Sequence, residues 1–241
     1  MQPRARPPSM AYGLGIGRAR RVAADNITFG CDVNLIERAT IIHYHRHRID
    51  RFGLGQVQAL GWRDETSQRR RFEAIASAFD FDRCSVLDLG CGCGDLQAFL
   101  AGRFCEVDYL GIDHVPEFVE RARERCAGDP RAQFHLGDFS RGALPRVDVV
   151  VACGALGYRC AELDFHLRMI ERMAATATRA VLFNVLDAAT FPDHPLLVGH
   201  DIEAVTAFCR TLSPHVDVVR GYLPDDVTFV MRLESGPQVH R

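Results

Sequence analysis

Ser85-Val86-Leu87-Asp88-Leu89-Gly90-Cys91-Gly92-Cys93-Gly94-Asp95-Leu96 is the stretch that decides the fold of this chain. Val86, Leu87 and Leu89 make a short apolar run with an acid inside it, three glycines alternate through residues 90–94, and Asp95-Leu96 open an amphipathic pattern. That order predicts a strand, a tight turn and the start of a helix. A turn of this composition lets backbone approach a ligand more closely than side-chain-bearing residues permit.

Two nucleotide-like ligands compete for such a loop. A dinucleotide expects Gly-x-Gly-x-x-Gly, with its pyrophosphate at the positive end of the following helix. Here the spacing is Gly90-x-Gly92-x-Gly94, and Asp95 stands where the third dinucleotide glycine would be. A carboxylate in the first helical turn suits the helix dipole but repels a pyrophosphate bound there, and Asp88 adds a second negative charge. S-adenosyl-L-methionine, a sulfonium cation with an ammonium group and no phosphate, fits better. No Gly-Lys-Ser/Thr follows the glycines, which excludes a Walker loop. The alternative is a glycine-rich turn that binds nothing.

From Cys84 to about Glu234 the chain resembles a class I S-adenosylmethionine-dependent methyltransferase. Asp88, Gly90, Cys91, Gly92 and Gly94 resemble that family's first motif. A second strand, Tyr109-Leu110-Gly111-Ile112-Asp113, also ends in an acid. The resemblance implies that Asp113 accepts hydrogen bonds from the ribose hydroxyls, with His114 beside it. Phe134-His135-Leu136 leads to Gly137-Asp138-Phe139, where Asp138 is implied to accept from the adenine amino group and Phe139 to lie against the ring. Val147 to Ala152 opens into Cys153-Gly154-Ala155-Leu156, implied to line the methionine end. Upstream, Gly61-Trp62 with Gln68 and Arg71-Phe72 resembles a pattern of compact bacterial methyltransferases acting on small metabolites, which makes Trp62 and Arg71 cofactor-facing candidates. The segment Arg46 to Gly53 departs from that pattern, lacking a tyrosine near the glycine.

The implied fold is α/β: a Rossmann-like, seven-stranded, mostly parallel sheet closed by a C-terminal antiparallel hairpin, with N-terminal helices added. The implied division is a basic arm over residues 1–24, a helical cap over 25–83 and the cofactor-binding domain over 84–241. Periodicity supports the alternation. Leu35, Ile36, Ala39 and Ile42 predict one helix, with those side chains facing the protein, and Phe72, Ile75, Ala76 and Phe79 predict another. Helices are also expected around Leu96–Leu100, Val115–Cys126 with Pro116 in its first turn, Leu163–Ala174 and Ile202–Leu212. Such alternation means parallel strands joined by right-handed crossovers. Asp217–Leu223 and Val227–Phe229 are too close together to be anything but an antiparallel hairpin.

Composition narrows the function. The chain has 241 residues, a net charge of −2 and nine cysteines in no paired spacing. The charge does not match nucleic acid, and the cysteines read as reduced thiols of a cytoplasmic protein. No apolar run approaches a membrane span, so no membrane partner is expected. Residues 1–24 hold five arginines, three prolines and no acid, as a solvated arm or an anion contact would.

Methyl transfer from a sulfonium is an in-line displacement that needs no protein nucleophile. Some acceptors need a base, and the candidates are His43, Tyr44 and Asn184, with Tyr158 and Tyr222 also within reach of the strand tips. His43, His45 and His47 would share one face of a strand as metal ligands do, whereas the apolar spacing around them favours a helix that separates them. No metal is expected. Asn184 either hydrogen-bonds the acceptor or satisfies nearby backbone. Cys153 and Cys160 lack the third thiol of a metalloid site. Cys153-Gly154-Ala155-Leu156 replaces the Asn/Asp-Pro-Pro-Tyr/Phe of base-amine methyltransferases and the acid of magnesium-dependent catechol enzymes, and no Pro-Cys or Thr-Cys pair marks a cytosine-C5 enzyme. The expected partner is a small-molecule acceptor methylated on nitrogen, oxygen or sulfur, in specialised metabolism. An RNA methyltransferase guided by Arg69-Arg70-Arg71 and the arm, and a non-catalytic cofactor-binding subunit, are the alternatives.

Overall fold

The central strands are near-continuous apolar runs, such as Val149-Val150-Val151 and Val181-Leu182-Phe183, buried on both faces. The computed structural model of the chain describes residues 35–234, so the basic arm and residues 25–34 of the cap lie outside the described residues. Seven strands, β1 (Ser85–Leu89), β2 (Asp108–Asp113), β3 (Ala132–Leu136), β4 (Val147–Ala152), β5 (Ala177–Leu186), β6 (His215–Leu223) and β7 (Asp226–Arg232), form one sheet in the order β3-β2-β1-β4-β5-β7-β6. Neighbours from β3 through β5 are parallel, and β7 runs antiparallel to both β5 and β6.

Helices cover both faces, as they must when both are apolar. Val86, Val149, Val151 and Leu182 face one core with Phe72, Ile75, Leu96 and Leu100; Leu87, Val150, Val181 and Phe183 face the other with Ile170, Met173, Ile202 and Val205. The helices are α1 (Leu35–Phe52), α2 (Glu65–Ala78), α3 (Asp95–Ala101), α4 (Pro116–Arg125), α5 (Phe165–Thr176) and α6 (Ile202–Leu212). α2 starts on a capping box, in which Asp64 accepts from the Ser67 N–H at 2.6 Å and the Ser67 hydroxyl accepts from the Asp64 N–H at 3.2 Å.

Two helical expectations need correction. α1 forms, but Leu35 and Ile36 are exposed and its buried residues are Ile41 and His45. The helix turns a different stripe inward, with Ile42 and Ile49 packed beside it. Leu163 lies ahead of α5 and is exposed; the inner face of that helix is Met169, Ile170 and Met173.

One buried knot ties α2 to the far half of the sheet. Asp226, at the start of β7, accepts from Arg71 Nε and Nη2 at 2.7 Å each, from Asn184 Nδ2 at 2.8 and 2.9 Å, and from the Tyr222 hydroxyl. Removing one member of a buried ion pair leaves the other charge uncompensated. Asp226→Ala is therefore expected to cost about 3–5 kcal/mol of stability, read as a lowered urea midpoint.

Candidate active site

The order β2-β1-β4 marks the point where successive crossovers leave the sheet in opposite directions, and open α/β sheets bind ligands outside the strand tips there. At that point a cleft runs beside α1, lined by the tips of β1, β2 and β4 and by the loop after β3. Asp88, Gly90, Cys91, Gly92, Asp113, His114, Asp138, Phe139, Cys153, Gly154 and Trp62 all line it.

Glycine is required at two close approaches. Gly92 has φ +53°, and a Cβ there would lie 2.7 Å from Leu60 Cδ2; Gly154 has φ +79°, and a Cβ there would lie 2.4 Å from Trp62 Cη2. Both loops therefore press against the segment that precedes α2.

The three acids differ in how their oxygens are used. Asp113 accepts from the Gly92 N–H and the Val115 N–H, both at 2.9 Å, and so folds the glycine loop onto the tip of β2. A carboxylate has about four acceptor sites, so Asp113 retains capacity for two hydroxyl donors. Asp138 accepts from Ser140 N at 3.0 Å and Ser140 Oγ at 2.6 Å. Asp88 is 2% exposed; one oxygen accepts from the Tyr109 hydroxyl, and the other is buried with no hydrogen-bond partner. Burial pushes its carboxyl up to about 7, against the lowering effect of the Tyr109 hydrogen bond.

An unpartnered buried carboxyl oxygen is what an ammonium group would satisfy, so the cleft fits the cationic methionine end of S-adenosylmethionine. The rings of His114 and Phe139 face each other with centroids 6.0 Å apart and planes 31° apart.

The basic and amide candidates are engaged elsewhere. Arg71 does not line this cleft. Its guanidinium sits 4.9 Å from the Trp62 ring centroid, is paired with Asp226, and donates from Nη1 to the Ser67 carbonyl at 2.9 Å. Asn184 accepts from the Gly154 N–H at 2.7 Å while its amide donates to Asp226. Its geometry positions the Gly154 loop rather than serving as a free hydrogen-bonding group. Both residues line a neighbouring cavity, with Tyr44, Phe191 and Leu197. Leu60, Trp62, Gly154 and Tyr158 border both spaces.

His43 is exposed on α1 and lines neither space, and His47 is exposed as well. Two positions are 200° apart at 100° per residue, so the histidine that turns inward is His45. Its Nδ1 lies 2.9 Å from the Ala59 carbonyl and its Nε2 2.7 Å from the Tyr158 hydroxyl. The stripe Ile41-His45-Ile49, at i, i+4 and i+8, was the available signal.

Burial pushes the Cys91 and Cys153 thiols well above their usual range and Cys93 up to about 12, so all three stay protonated. Among the described residues no group of three or more His, Cys, Asp or Glu side chains is arranged to hold a metal, and no helix is long and apolar enough to cross a membrane.

Comparison with known proteins agrees with this geometry. Residues 86–179 match a family model described as a methyltransferase domain. A putative methyltransferase of Mycobacterium tuberculosis is 34% identical over 165 residues, covering 64% of this chain and 96% of that protein. Magnesium-protoporphyrin O-methyltransferase of Rhodobacter capsulatus is 30% identical over 115 residues, covering 46% of this chain; the match spans about half, 49%, of that relative's length. The trans-aconitate 2-methyltransferase of Methylobacterium radiotolerans is 42% identical over 89 residues, covering 36% of this chain and 32% of that protein. In fold, the chain is similar to magnesium protoporphyrin IX methyltransferase from Synechocystis PCC 6803 with bound S-adenosylmethionine, with a TM-score of 0.61 at 13% identity over 85% of this chain and all (100%) of that one. The N-methyltransferase NodS from Bradyrhizobium japonicum, in complex with S-adenosylhomocysteine, gives 0.59 at 16% identity over 81% of this chain and 98% of that one.

The chain belongs to the class I S-adenosylmethionine-dependent methyltransferases. Its cofactor is S-adenosylmethionine.

The raised Asp88 predicts linked proton release. In the free protein the group is largely protonated below about 7, and a cation beside it favours the carboxylate. Binding of S-adenosylhomocysteine near about pH 6 is expected to expel a proton, with affinity rising as pH climbs and levelling above that value. Calorimetry in buffers of different ionisation enthalpy measures this, and Asp88→Asn should abolish it. Equal heats in all buffers would mean the ammonium lies elsewhere.

Proposed function

We propose that this chain transfers the methyl group of S-adenosylmethionine to a nitrogen, oxygen or sulfur atom of a small metabolite held in the cavity beside Gly154 and Tyr158. The observation that carries this reading is the second space itself: it adjoins the cofactor cleft, and Leu60, Trp62, Gly154 and Tyr158 form their common border. The names of the relatives support it, since magnesium-protoporphyrin and trans-aconitate are both small molecules.

When bound, the cofactor supplies an electrophilic methyl group on sulfur. The chain's own work is to bind, orient and exclude water. In this reading Asp113 takes the ribose hydroxyls, Asp138, Phe139 and His114 take the adenine, and Asp88 takes the ammonium. The backbone of Gly90, Cys91, Gly92 and Gly94 runs beneath the methionine portion, with Cys153, Gly154 and Trp62 around its sulfur end. In this reading residues 35–83 cap the cofactor-binding domain that begins at residue 84, and the protein works in the cytoplasm.

Specific observations favour a metabolite over RNA. Arg71 is buried against Asp226, and of the two arginines of that run that reach the surface, Arg69 lies beside Glu73 at 2.9 Å and Arg70 donates to the Tyr222 carbonyl at 3.1 Å, which leaves little of a continuous basic face. RNA binding relies on such a face and is strongly salt-dependent.

Asp113→Ala is expected to weaken S-adenosylmethionine by about 1–3 kcal/mol, the scale of lost hydrogen bonds to a charged group. Part of that loss would come through the freed Gly92 and Val115 N–H groups. Titration calorimetry of the folded variant measures it, and an unchanged affinity would mean the ribose is held elsewhere.

A further inference from the structure

His45, buried, and Tyr158, half-buried, make a hydrogen-bonded pair at the edge of the cofactor cleft. The Ala59 carbonyl can only accept, so the imidazole proton sits on Nδ1, which donates across 2.9 Å. Nε2 then carries a lone pair and accepts from the Tyr158 hydroxyl at 2.7 Å. No other hydrogen bond reaches that hydroxyl oxygen among the described residues, so its remaining capacity is as an acceptor. Tyr158 borders both the cofactor cleft and the adjoining cavity. The pair is thus a directional chain: an acceptor site at the boundary of the two spaces, a proton pointing away from it, and a lone pair behind.

We infer that Tyr158 and His45 form a proton relay, and that the methyl acceptor is an un-ionised hydroxyl compound, an alcohol or a phenol. This rests on the proposed methyl transfer. In the step, the hydroxyl oxygen forms its bond to the methyl carbon as the carbon–sulfur bond breaks, and that bonding pair returns to sulfur. The hydroxyl proton passes to Tyr158 Oη while the Tyr158 proton passes to His45 Nε2. The positive charge that leaves sulfur reappears as an imidazolium hydrogen-bonded to Ala59, which later releases its proton to water.

The acceptor class follows from what a relay is needed for. A carboxylate is already ionised, and an amine has lost its proton before its lone pair can attack; neither needs a base during the transfer. A carboxylate would instead need a cation; of the two arginines lining the second cavity, Arg71 is committed to Asp226 and Arg63 lies 3.4 Å from the Asp64 carboxylate, while Arg38 lines the cofactor cleft and not this cavity. A hydroxyl keeps its proton until attack, which is where a positioned base contributes.

The groups facing His45 keep it ready to accept. Burial lowers its affinity for a proton most; Arg48 on its own helix and His114 lower it further, while Asp113 at the tip of β2 and the Ala59 carbonyl raise it. Tyr44 and Phe118 contribute aromatic edges, each with its ring centroid 5.1 Å from the imidazole.

The test uses the purified full chain, S-adenosylmethionine and a panel of small alcohols, phenols, amines and carboxylic acids of matched skeleton, with S-adenosylhomocysteine as the readout. At least one hydroxyl compound should be methylated, with an acid limb in kcat whose midpoint lies below the ordinary histidine value of 6.5. Tyr158→Phe should lower kcat on that compound by about 10²–10⁴-fold, the usual worth of general base catalysis, without changing the affinity for S-adenosylmethionine. His45→Gln should do the same and remove the acid limb. Thermal melts establish that the variants are folded, and the wild-type pH profile decides the matter if they are not.

Methylation of amines or carboxylates alone would overturn the inference and leave the proposed function standing. So would a Tyr158→Phe variant that loses cofactor affinity but keeps kcat, which would make the pair a ribose clamp. Failure to bind S-adenosylmethionine, or to consume it with any class of compound, would sink the proposed function as well.

Discussion

The site depends first on the Asp226 carboxylate. It draws together Arg71 from α2, Asn184 from β5 and Tyr222 from β6, and through Asn184 it reaches the Gly154 N–H. The Gly154 loop is one wall of the cleft, and Trp62, stacked on Arg71, is packed against it. One buried charge therefore fixes the helix that leads into β1, the hairpin that closes the sheet, and the border between the two cavities. Isolated buried ion pairs contribute little net stability. This one is further hydrogen-bonded on both oxygens, and its return is geometric: it holds two loops at a spacing that only glycine tolerates.

The electrostatics of the cleft follow from where the acids sit. Asp113 spends two of its acceptor sites on backbone N–H groups, so its position is set before any ligand arrives. Asp88 is held through one oxygen and buried without a partner on the other, which is why its proton affinity rises. The first acid is preorganised and the second is in need of a cation. Preorganised groups bind with less ordering cost, and an unpartnered one makes binding responsive to charge.

Much of this was legible along the chain. The strand–glycine–helix run, the three strand-end acids and the closing hairpin are local patterns, and β4 lies over the very residues its apolar run marked out. What was not legible depended on distant partners. Asn184 reads as a polar residue at a strand end, and only folding shows that Asp226, 42 positions later, occupies its amide. Arg71 is similar: its acceptor lies 155 positions away. The choice among His43, His45 and His47 is a matter of helical phase. Exposed Leu35 and Ile36 mislead the phase at the start of α1, while Ile41 and Ile49 carry the correct one.

The same acids explain why a fold shared with dinucleotide enzymes suits a sulfonium here. Asp88, Asp113 and Asp138 all line the cleft, and two like charges about 4 Å apart repel by about 4 kcal/mol at an effective dielectric constant of about 20. A diphosphate brought to the glycine loop would meet that repulsion wherever Asp88 is ionised, and would lack the glycine that Asp95 replaces. Asp95 is itself engaged, accepting from Gln68 at 3.1 Å and paired with Arg125. It therefore holds the start of α3 against α2 and α4, leaving its helix dipole partly neutralised. A ligand carrying positive charge at one end and hydroxyls at the other turns each of these features from a penalty into a contact.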